Sequence, residues 1–200
     1  MLKMIKGCKV PFPDKLFESY EINKNRIFAN VDADKIEKIL KQFILMHNEP
    51  LFFILELPTA FRDEQEIKPG IIEKFHTDIY YIDGCSKEEA IVILDRVGKI
   101  LINDGLCGFG FGCHESGDEI MVEKYNTMTI FSRCDTTKYE FLFTTQNIPK
   151  TGSVITAWDT FSSDYPGVSA KYEADGVSVF DIPELFADWG IYLAERREEN

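Results

Sequence analysis

The chain has 200 residues, with 34 acidic and 22 basic side chains and a formal net charge of −12. This balance argues against nucleic acid or an anionic membrane as the main ligand, because both require clustered lysine and arginine. Hydrophobic residues make up 44% of the chain, and its 16 phenylalanines and 8 tyrosines indicate one globular domain with an aromatic-rich core.

No stretch of the sequence predicts export or insertion into a membrane. The first six residues have no apolar run of the length that a signal peptide needs, and the longest apolar runs have the size of a strand. The five cysteines are scattered and odd in number, which favours reduced thiols. We therefore expect a cytoplasmic protein that does not bind membranes.

An α+β core is predicted over residues 26–132, after an irregular N-terminal segment of residues 1–25. A strand is predicted at 26–31, and Asp32 is placed to cap the helix that follows. Asn48 and Pro50 end this helix, and residues 51–57 form a further strand. The apolar face of the helix is predicted from its spacing to consist of Ile36, Ile39, Leu40, Phe43 and His47.

A second strand–helix–strand unit follows the first and superposes on it in pattern without a gap. Its first strand is predicted at 76–82, and Ser86 and Glu89 form a capping box for a helix that runs to about residue 102. Two such units in series predict a ferredoxin-like βαββαβ core, in which the helices lie on one face of an antiparallel sheet. The buried face of the second helix is predicted to be Ala90, Ile93, Leu94, Val97 and Leu101.

Residues 106–132 predict a β-meander that extends this sheet. Turn residues at 116–118 and 124–126 separate three short stretches that alternate as strands do. In the first of them the glycines share one face, and the other face carries Cys107, Phe109, Phe111 and Cys113.

Residues 133–200 predict a C-terminal extension that packs on the core within the same domain. Alternation and threonine content favour a strand over 135–147 and another over 153–160. Asp181 and Pro183 indicate the start of a C-terminal helix. The apolar stripe of this helix is predicted to reach Leu193, with Arg196 and Arg197 at its C-terminal end.

Two short motifs suggest chemistry but have simpler explanations. Gly108, Gly110 and Gly112 have the spacing of a phosphate loop, yet they lie inside a strand that a hairpin follows, so we expect them to make room for a helix or an aromatic ring. Cys113 and His114 are neighbours in a strand and point to opposite faces, so they cannot pair without a bulge. No spacing typical of metal ligands occurs, and no metal or cofactor is predicted.

Acidic and aromatic residues concentrate at one hairpin end, 115–123, and in a loop-rich stretch, 158–175. Residues 151–200 alone carry 10 acidic and 3 basic side chains. Aromatic rings among acidic groups are typical of a protein interface that selects a basic partner. The candidate partner-binding residues are Glu115, Asp118, Glu119, Glu123, Trp158, Asp159, Asp164, Tyr165, Tyr172 and Asp175.

With this general character, and with blocks such as Phe111-Gly-Cys-His-Glu-Ser-Gly-Asp-Glu-Ile120 and Lys124-Tyr-Asn126, the chain resembles the immunity proteins of bacterial polymorphic-toxin and contact-dependent inhibition systems. The resemblance implies a non-catalytic cytoplasmic protein that neutralises a cognate toxin domain, often a basic nuclease, by direct stoichiometric binding. Two alternatives stay open at this point. One is a small-molecule-binding or hydrolytic enzyme that uses Cys113 or His114 in a cleft, and the other is a regulatory binding module.

Overall fold

The structure is a computed structural model that describes residues 1–59, 66–68, 71–72 and 75–198. Strands and two long helices dominate its first two thirds, and short helical turns dominate the remainder. In chain order the elements are β1 (Cys8–Lys9), β2 (Ser19–Asn23), β3 (Arg26–Asn30), α1 (Ala33–Met46), β4 (Leu51–Pro58), β5 (Glu66–Lys68), β6 (Ile71–Ile72), β7 (His76–Cys85), α2 (Lys87–Asn103), β8 (Gly108–Cys113), β9 (Asp118–Val122), β10 (Thr127–Phe131), α3 (Glu140–Thr144), β11 (Val168–Ser169), α4 (Ile182–Leu185) and β12 (Tyr192–Glu198).

Eight of these strands form one sheet in the order β12-β7-β4-β8-β9-β10-β3-β2. Every neighbouring pair in this sheet is antiparallel. β1 pairs with β11, and β5 pairs with β6, each outside the main sheet. The predicted α+β class with an antiparallel sheet is therefore confirmed.

The ferredoxin-like detail of that prediction is not confirmed. In a ferredoxin-like sheet, the first strand of the first unit lies between the two strands of the second unit. Here β4, the second strand of the first unit, lies between β7 and β8, and β3 lies beyond β9 and β10. The two hairpins of the meander thus separate the strands that the ferredoxin-like arrangement would pair.

Helices α1 and α2 pack against each other and against one face of the sheet, as predicted. Their predicted apolar stripes are buried throughout. The capping box also forms, because Glu89 N donates to Ser86 Oγ at 3.2 Å and Ser86 N donates to the Glu89 carboxylate at 2.8 Å. Asp32 is the N-cap residue of α1, but its side chain accepts from Lys3 N instead of capping the helix.

The meander has the predicted alternation, and its glycines make room for side chains. Phe109 and Phe111 are buried on the helix-covered face of β8. On the opposite face, the ring of Phe52 lies on Gly112, where an added Cβ would be 2.1 Å from Phe52 Cζ. The expectation that these glycines accommodate an aromatic ring is therefore confirmed at Gly112.

Both ends of the chain differ from the predictions. Residues 1–25 are not wholly irregular, because β2 forms an edge of the main sheet. The predicted start of the C-terminal helix is confirmed, with Asp181 as N-cap residue, but its predicted length is wrong, because α4 ends at Leu185 and Gly190 adopts a positive φ of 78°. The chain then continues as the edge strand β12, in which Arg196 Nε donates to Asp78 of β7 at 2.8 Å. Pairing with a distant strand outweighed the local helical pattern.

The strands predicted over 135–147 and 153–160 are also wrong. Asp135 accepts hydrogen bonds from the backbone N and the Oγ1 of Thr137, both at 2.8 Å, and the chain turns into α3. Asp159 accepts the same two bonds from Thr156 at the start of the 3₁₀ turn Trp158–Thr160. These local bonds between side chains and the backbone compete with strand pairing and here prevail over it.

Candidate binding face of the sheet

The two faces of the sheet differ in what covers them. On the face that α1 and α2 cover, side chains such as Phe53 and Leu55 are fully buried. On the opposite face, side chains such as Glu56, Tyr81 and Glu119 keep part of their surface in contact with solvent, although Phe52 and Ile54 are buried among their neighbours. We call this second surface the open face and define it by Phe52, Glu56, Tyr81, Glu119, Met121 and Phe131.

Strand register places aromatic and acidic groups of the open face side by side. Phe52 of β4 lies opposite Gly112 of β8, which lies opposite Glu119 of β9. Glu119 in turn lies opposite Phe131 of β10. Cross-strand neighbours lie within contact distance of one another. This row across four strands therefore places the carboxylate of Glu119 between the rings of Phe52 and Phe131.

Three carboxylates on or beside this face have a pKa that burial raises; Glu56 and Glu119 are half-buried, and Glu123 is exposed. For Glu119, burial is reinforced by repulsion from Glu56. The pKa of Glu56 is raised mainly by burial, although Arg197, whose Nη1 is 3.9 Å away, partly offsets this. Burial also raises the pKa of Glu123, against a hydrogen bond from Thr127. Among the residues that the structure describes, Glu119 makes no ion pair. Among the described residues, Arg197 thus compensates Glu56 and Arg26 compensates Glu123 only in part.

A cavity of about 300 Å³ lies at the end of the open face where β4 and β9 approach the loop that holds Trp158. The carboxylates of Glu56 and Glu123 and the indole of Trp158 contribute to its walls. Trp158 is 56% exposed, and its ring packs edge-on against Tyr125, with 5.0 Å between the centroids. An exposed indole beside two carboxylates provides an apolar contact next to negative charge.

A second cavity, of about 420 Å³, lies at the opposite end of the face. The ring centroids of Phe52 and Tyr81 are 5.6 Å apart. The ring of Tyr192 in β12 stacks on that of Tyr81, with 6.4 Å between the centroids. Asp83 accepts hydrogen bonds from Tyr192 Oη and from His114 Nε2, the latter at 2.8 Å. Burial alone would raise the pKa of Asp83, but these bonds outweigh it and lower the pKa, so the group is an anion at neutral pH.

The structure brings three of the ten predicted partner-binding residues to this surface. Glu123 and Trp158 line the first cavity, and Glu119 lines the second. They come from both of the acidic stretches that the sequence singled out, which are far apart along the chain.

Asp118 also lines the second cavity, but its side chain is buried on the covered side of the sheet and has a structural role. Its side chain is 1% exposed and accepts hydrogen bonds from Lys138 Nζ at 2.6 Å and from Tyr139 Oη at 2.7 Å. Tyr139 Oη also contacts His47 Nε2 at 2.7 Å. Asp118 is therefore part of a buried network that joins β9, α1 and the turn before α3.

The other six predicted residues line neither cavity. Glu115 is exposed and contacts Asn48 Nδ2 at 3.3 Å. The ring of Tyr165 packs on Phe12, with centroids 5.2 Å apart. Tyr172 packs against the ammonium of Lys6, which is 5.2 Å from its ring centroid. Of the rest, Asp159 caps its own turn, and Asp164 and Asp175 are exposed.

The sequence-based list of partner-binding residues lacks four residues that belong to this surface: Glu56, Tyr81, Asp83 and Tyr192. One signal was available for Glu56, which is the only charged residue in the apolar strand Leu51–Pro58. A charge in such a strand must reach solvent or a partner. The sequence contains no comparable indication for Tyr192, because its apolar spacing predicts a helix at that position.

Cys113 and His114 point to opposite faces of β8, as predicted. The thiol is 1% exposed and donates to the Asn48 carbonyl oxygen at 3.4 Å. The imidazole is exposed and lies next to the ring of Phe52. The two side chains therefore do not form a thiolate–imidazole pair.

No protein-family model, curated protein or solved structure matches this chain. Within residues 1–59, 66–68, 71–72 and 75–198, no helix is long and apolar enough to cross a membrane. The same residues contain no group of three or more His, Cys, Asp or Glu side chains that could hold a metal ion.

Proposed function

We propose that this protein is a cytoplasmic immunity protein, which binds a basic toxin domain in a stoichiometric complex and blocks it without catalysis. The observation that carries the proposal is a group of weakly compensated carboxylates on or beside the open face, the half-buried Glu56 and Glu119 and the exposed Glu123. Such groups lose hydration in the folded protein, and Arg197 and Arg26 offset this only in part at Glu56 and Glu123. A partner with lysine or arginine at these positions would supply the missing counter-charges.

The aromatic side chains of the open face supply the other part of an interface. Tyr81 and Trp158 offer ring surface next to the carboxylates, and the largely buried ring of Phe52 lines the second cavity. Aromatic anchors within a charged surround are the common arrangement at tight protein interfaces. The net charge of −12 would also steer a basic partner towards the protein and accelerate association at low salt.

The enzymatic alternative has less support from the geometry. A nucleophilic thiol must be accessible to its substrate and activated by a neighbouring base. Cys113 is buried under the helices, and His114 is bonded to Asp83 on the other face. A regulatory binding module would use the same open face, and only the nature of its partner would differ.

The proposal is tested by searching the genes next to this one for a toxin domain and by purifying each domain that is found. The two proteins are then mixed, and their complex is measured by light scattering and calorimetry at low and high salt. We expect a one-to-one complex that salt weakens, and survival of cells that express both proteins. Absence of a complex with every neighbouring toxin domain would contradict the proposal, and a complex with a harmless basic protein would favour the regulatory alternative.

A further inference from the structure

We infer that the second cavity receives an arginine side chain of the partner, stacked on aromatic rings and paired with carboxylates. We call this cavity the aromatic socket and define it by Phe52, Tyr81, Asp83, Glu119 and Tyr192. The identity of the partner rests on the proposed function, whereas the chemistry of the socket rests on its own geometry.

The rings form the walls of the socket. Phe52 and Tyr81 are tilted by 46° to each other, and Tyr81 and Tyr192 are nearly parallel at 28°. The ring of Phe52 lies against the backbone of Gly112, because that position has no side chain. A volume of about 420 Å³ remains open beside these rings.

Carboxylates stand on two sides of the rings. Asp83 is fixed by the hydroxyl of Tyr192 and the imidazole of His114, which orient its oxygen atoms. Glu119 comes from β9, directly opposite Gly112, and has no ion-pair partner among the described residues. A cation in the socket would therefore meet one ionised carboxylate that is already oriented and another that lacks a counter-charge.

One basic side chain, Arg133, also lines the cavity. It is exposed, and its guanidinium group lies over Gly117, where an added Cβ would be 2.4 Å from Arg133 Nε. Arg133 thus occupies the rim beside the hairpin turn. Its charge opposes the entry of a second cation, so its removal should strengthen binding.

The combination of flat rings and carboxylates favours arginine over lysine. A guanidinium group is planar, can stack on an aromatic face, and can donate two parallel hydrogen bonds to one carboxylate. The lysine ammonium is a point charge with stronger hydration and cannot make both contacts at once. Ring faces also attract cations directly, and more strongly when water is excluded.

The inference is tested with N-acetyl-arginine amide as the probe and the full-length isotope-labelled protein. Aromatic NMR signals of Phe52, Tyr81 and Tyr192 are followed during titration, with N-acetyl-citrulline amide as the neutral analogue of the same shape. We expect saturable shifts at these rings, with an affinity about tenfold or more above that for the citrulline probe. N-acetyl-lysine amide should bind more weakly than the arginine probe.

Variants then test the individual parts of the socket. Glu119→Gln and Tyr81→Leu should each weaken binding of the arginine probe about tenfold, and Arg133→Ala should strengthen it. Glu173→Gln is the matched control, because Glu173 pairs with Lys171 outside the socket. Absence of saturable shifts in the wild type, or an equal response to citrulline, would overturn the inference. The probe contains no toxin, so failure of the socket and failure of the proposed function can be told apart.

Discussion

The ring of Phe52 lies directly on the backbone of Gly112 in the neighbouring strand. A Cβ at Gly112 would be 2.1 Å from Phe52 Cζ, far inside van der Waals contact. The missing side chain therefore allows Phe52 to lie against the sheet and to form one wall of the aromatic socket. A glycine spacing that superficially resembles a phosphate loop is here a packing feature of an aromatic surface.

The substitution Gly112→Ala should displace the Phe52 ring. We expect a loss of about 1–3 kcal/mol in the free energy of unfolding, because overpacking forces side chains out of their preferred rotamers. Urea unfolding measures this loss. Gly98→Ala is the control, since the nearest atom to its added Cβ is 3.7 Å away inside α2, and alanine there should stabilise the helix by up to about 1 kcal/mol. Equal stability of Gly112→Ala and wild type would contradict the packing explanation.

Asn126 joins the N-terminal segment to the meander, and its loss should be costly. Its Nδ2 donates to the carbonyl oxygens of Lys3 and Val31, at 2.9 and 2.8 Å, and its Oδ1 accepts from Ile5 N at 2.9 Å. The residue is buried and has a φ of 64°. Asn126→Ala should therefore lower the free energy of unfolding by about 2–4 kcal/mol.

The variant Asn126→Gly separates the two causes of that loss. Glycine tolerates a positive φ but makes none of the three hydrogen bonds. If the bonds dominate, both variants should lose similar stability in thermal unfolding. If Asn126→Gly is as stable as the wild type, backbone strain alone explains the loss in Asn126→Ala.

Asp118 should make the protein sensitive to acid. Burial alone would raise its pKa, but hydrogen bonds from Lys138, Ser132 and Tyr139 outweigh this and hold the pKa well below its usual range. A carboxylate with a lowered folded-state pKa stabilises the protein above its unfolded-state pKa of about 4. That stabilisation is lost as the pH falls towards the folded-state pKa.

The variant Asp118→Asn should accordingly lose about 3 kcal/mol of unfolding free energy at pH 7. The difference from wild type should shrink as the pH falls below about 4, where the wild-type group begins to protonate in the unfolded chain. Denaturant unfolding across this pH range measures both effects. A loss that is constant with pH would contradict the assigned ionisation.

The neighbouring residue Glu119 should behave in the opposite way. Burial, reinforced by Glu56, raises its pKa, so the charged form is disfavoured in the folded protein and the cost is present above the usual carboxyl pKa. Glu119→Gln should therefore increase the stability at pH 7, and the gain should vanish in acid. The same variant should weaken binding of the basic partner. Lower stability at pH 7 would contradict the placement of this carboxylate on a functional surface.

Local sequence patterns predicted the parts of the fold that local forces determine. The capping box of Ser86 and Glu89, the stripes of α1 and α2, and the alternation along β8 all depend on residues close together in the chain. The position of β12 depends on its pairing with β7, which is more than a hundred residues away. No local pattern contains that information, and the apolar spacing before Gly190 indicated a helix.

The sequence likewise predicts only the part of the candidate site that depends on residues close together in the chain. Asp118 and Glu119 are adjacent, so alternation places their side chains on opposite faces of β9. The sequence could not show that Lys138 and Tyr139 would pair with Asp118 and leave Glu119 uncompensated. The joining of Glu123 and Trp158 in one cavity likewise required the folded structure.

The measurement that tests the central claim most directly compares how two triple variants associate with a toxin domain identified among the products of the neighbouring genes. One removes the carboxylates of the open face, Glu56→Gln, Glu119→Gln and Glu123→Gln. The other, Glu88→Gln, Glu173→Gln and Glu184→Gln, makes the same change in net charge at exposed positions outside that face. Thermal unfolding first establishes that both variants fold.

Association and dissociation rates are then measured by stopped flow at low and high salt. We expect the open-face variant to lose at least about 100-fold in affinity, with a faster dissociation rate and a weaker salt dependence. The matched control should slow association slightly and leave dissociation unchanged. Equal effects of the two variants, or normal affinity in the open-face variant, would contradict the claim that the open face binds the partner.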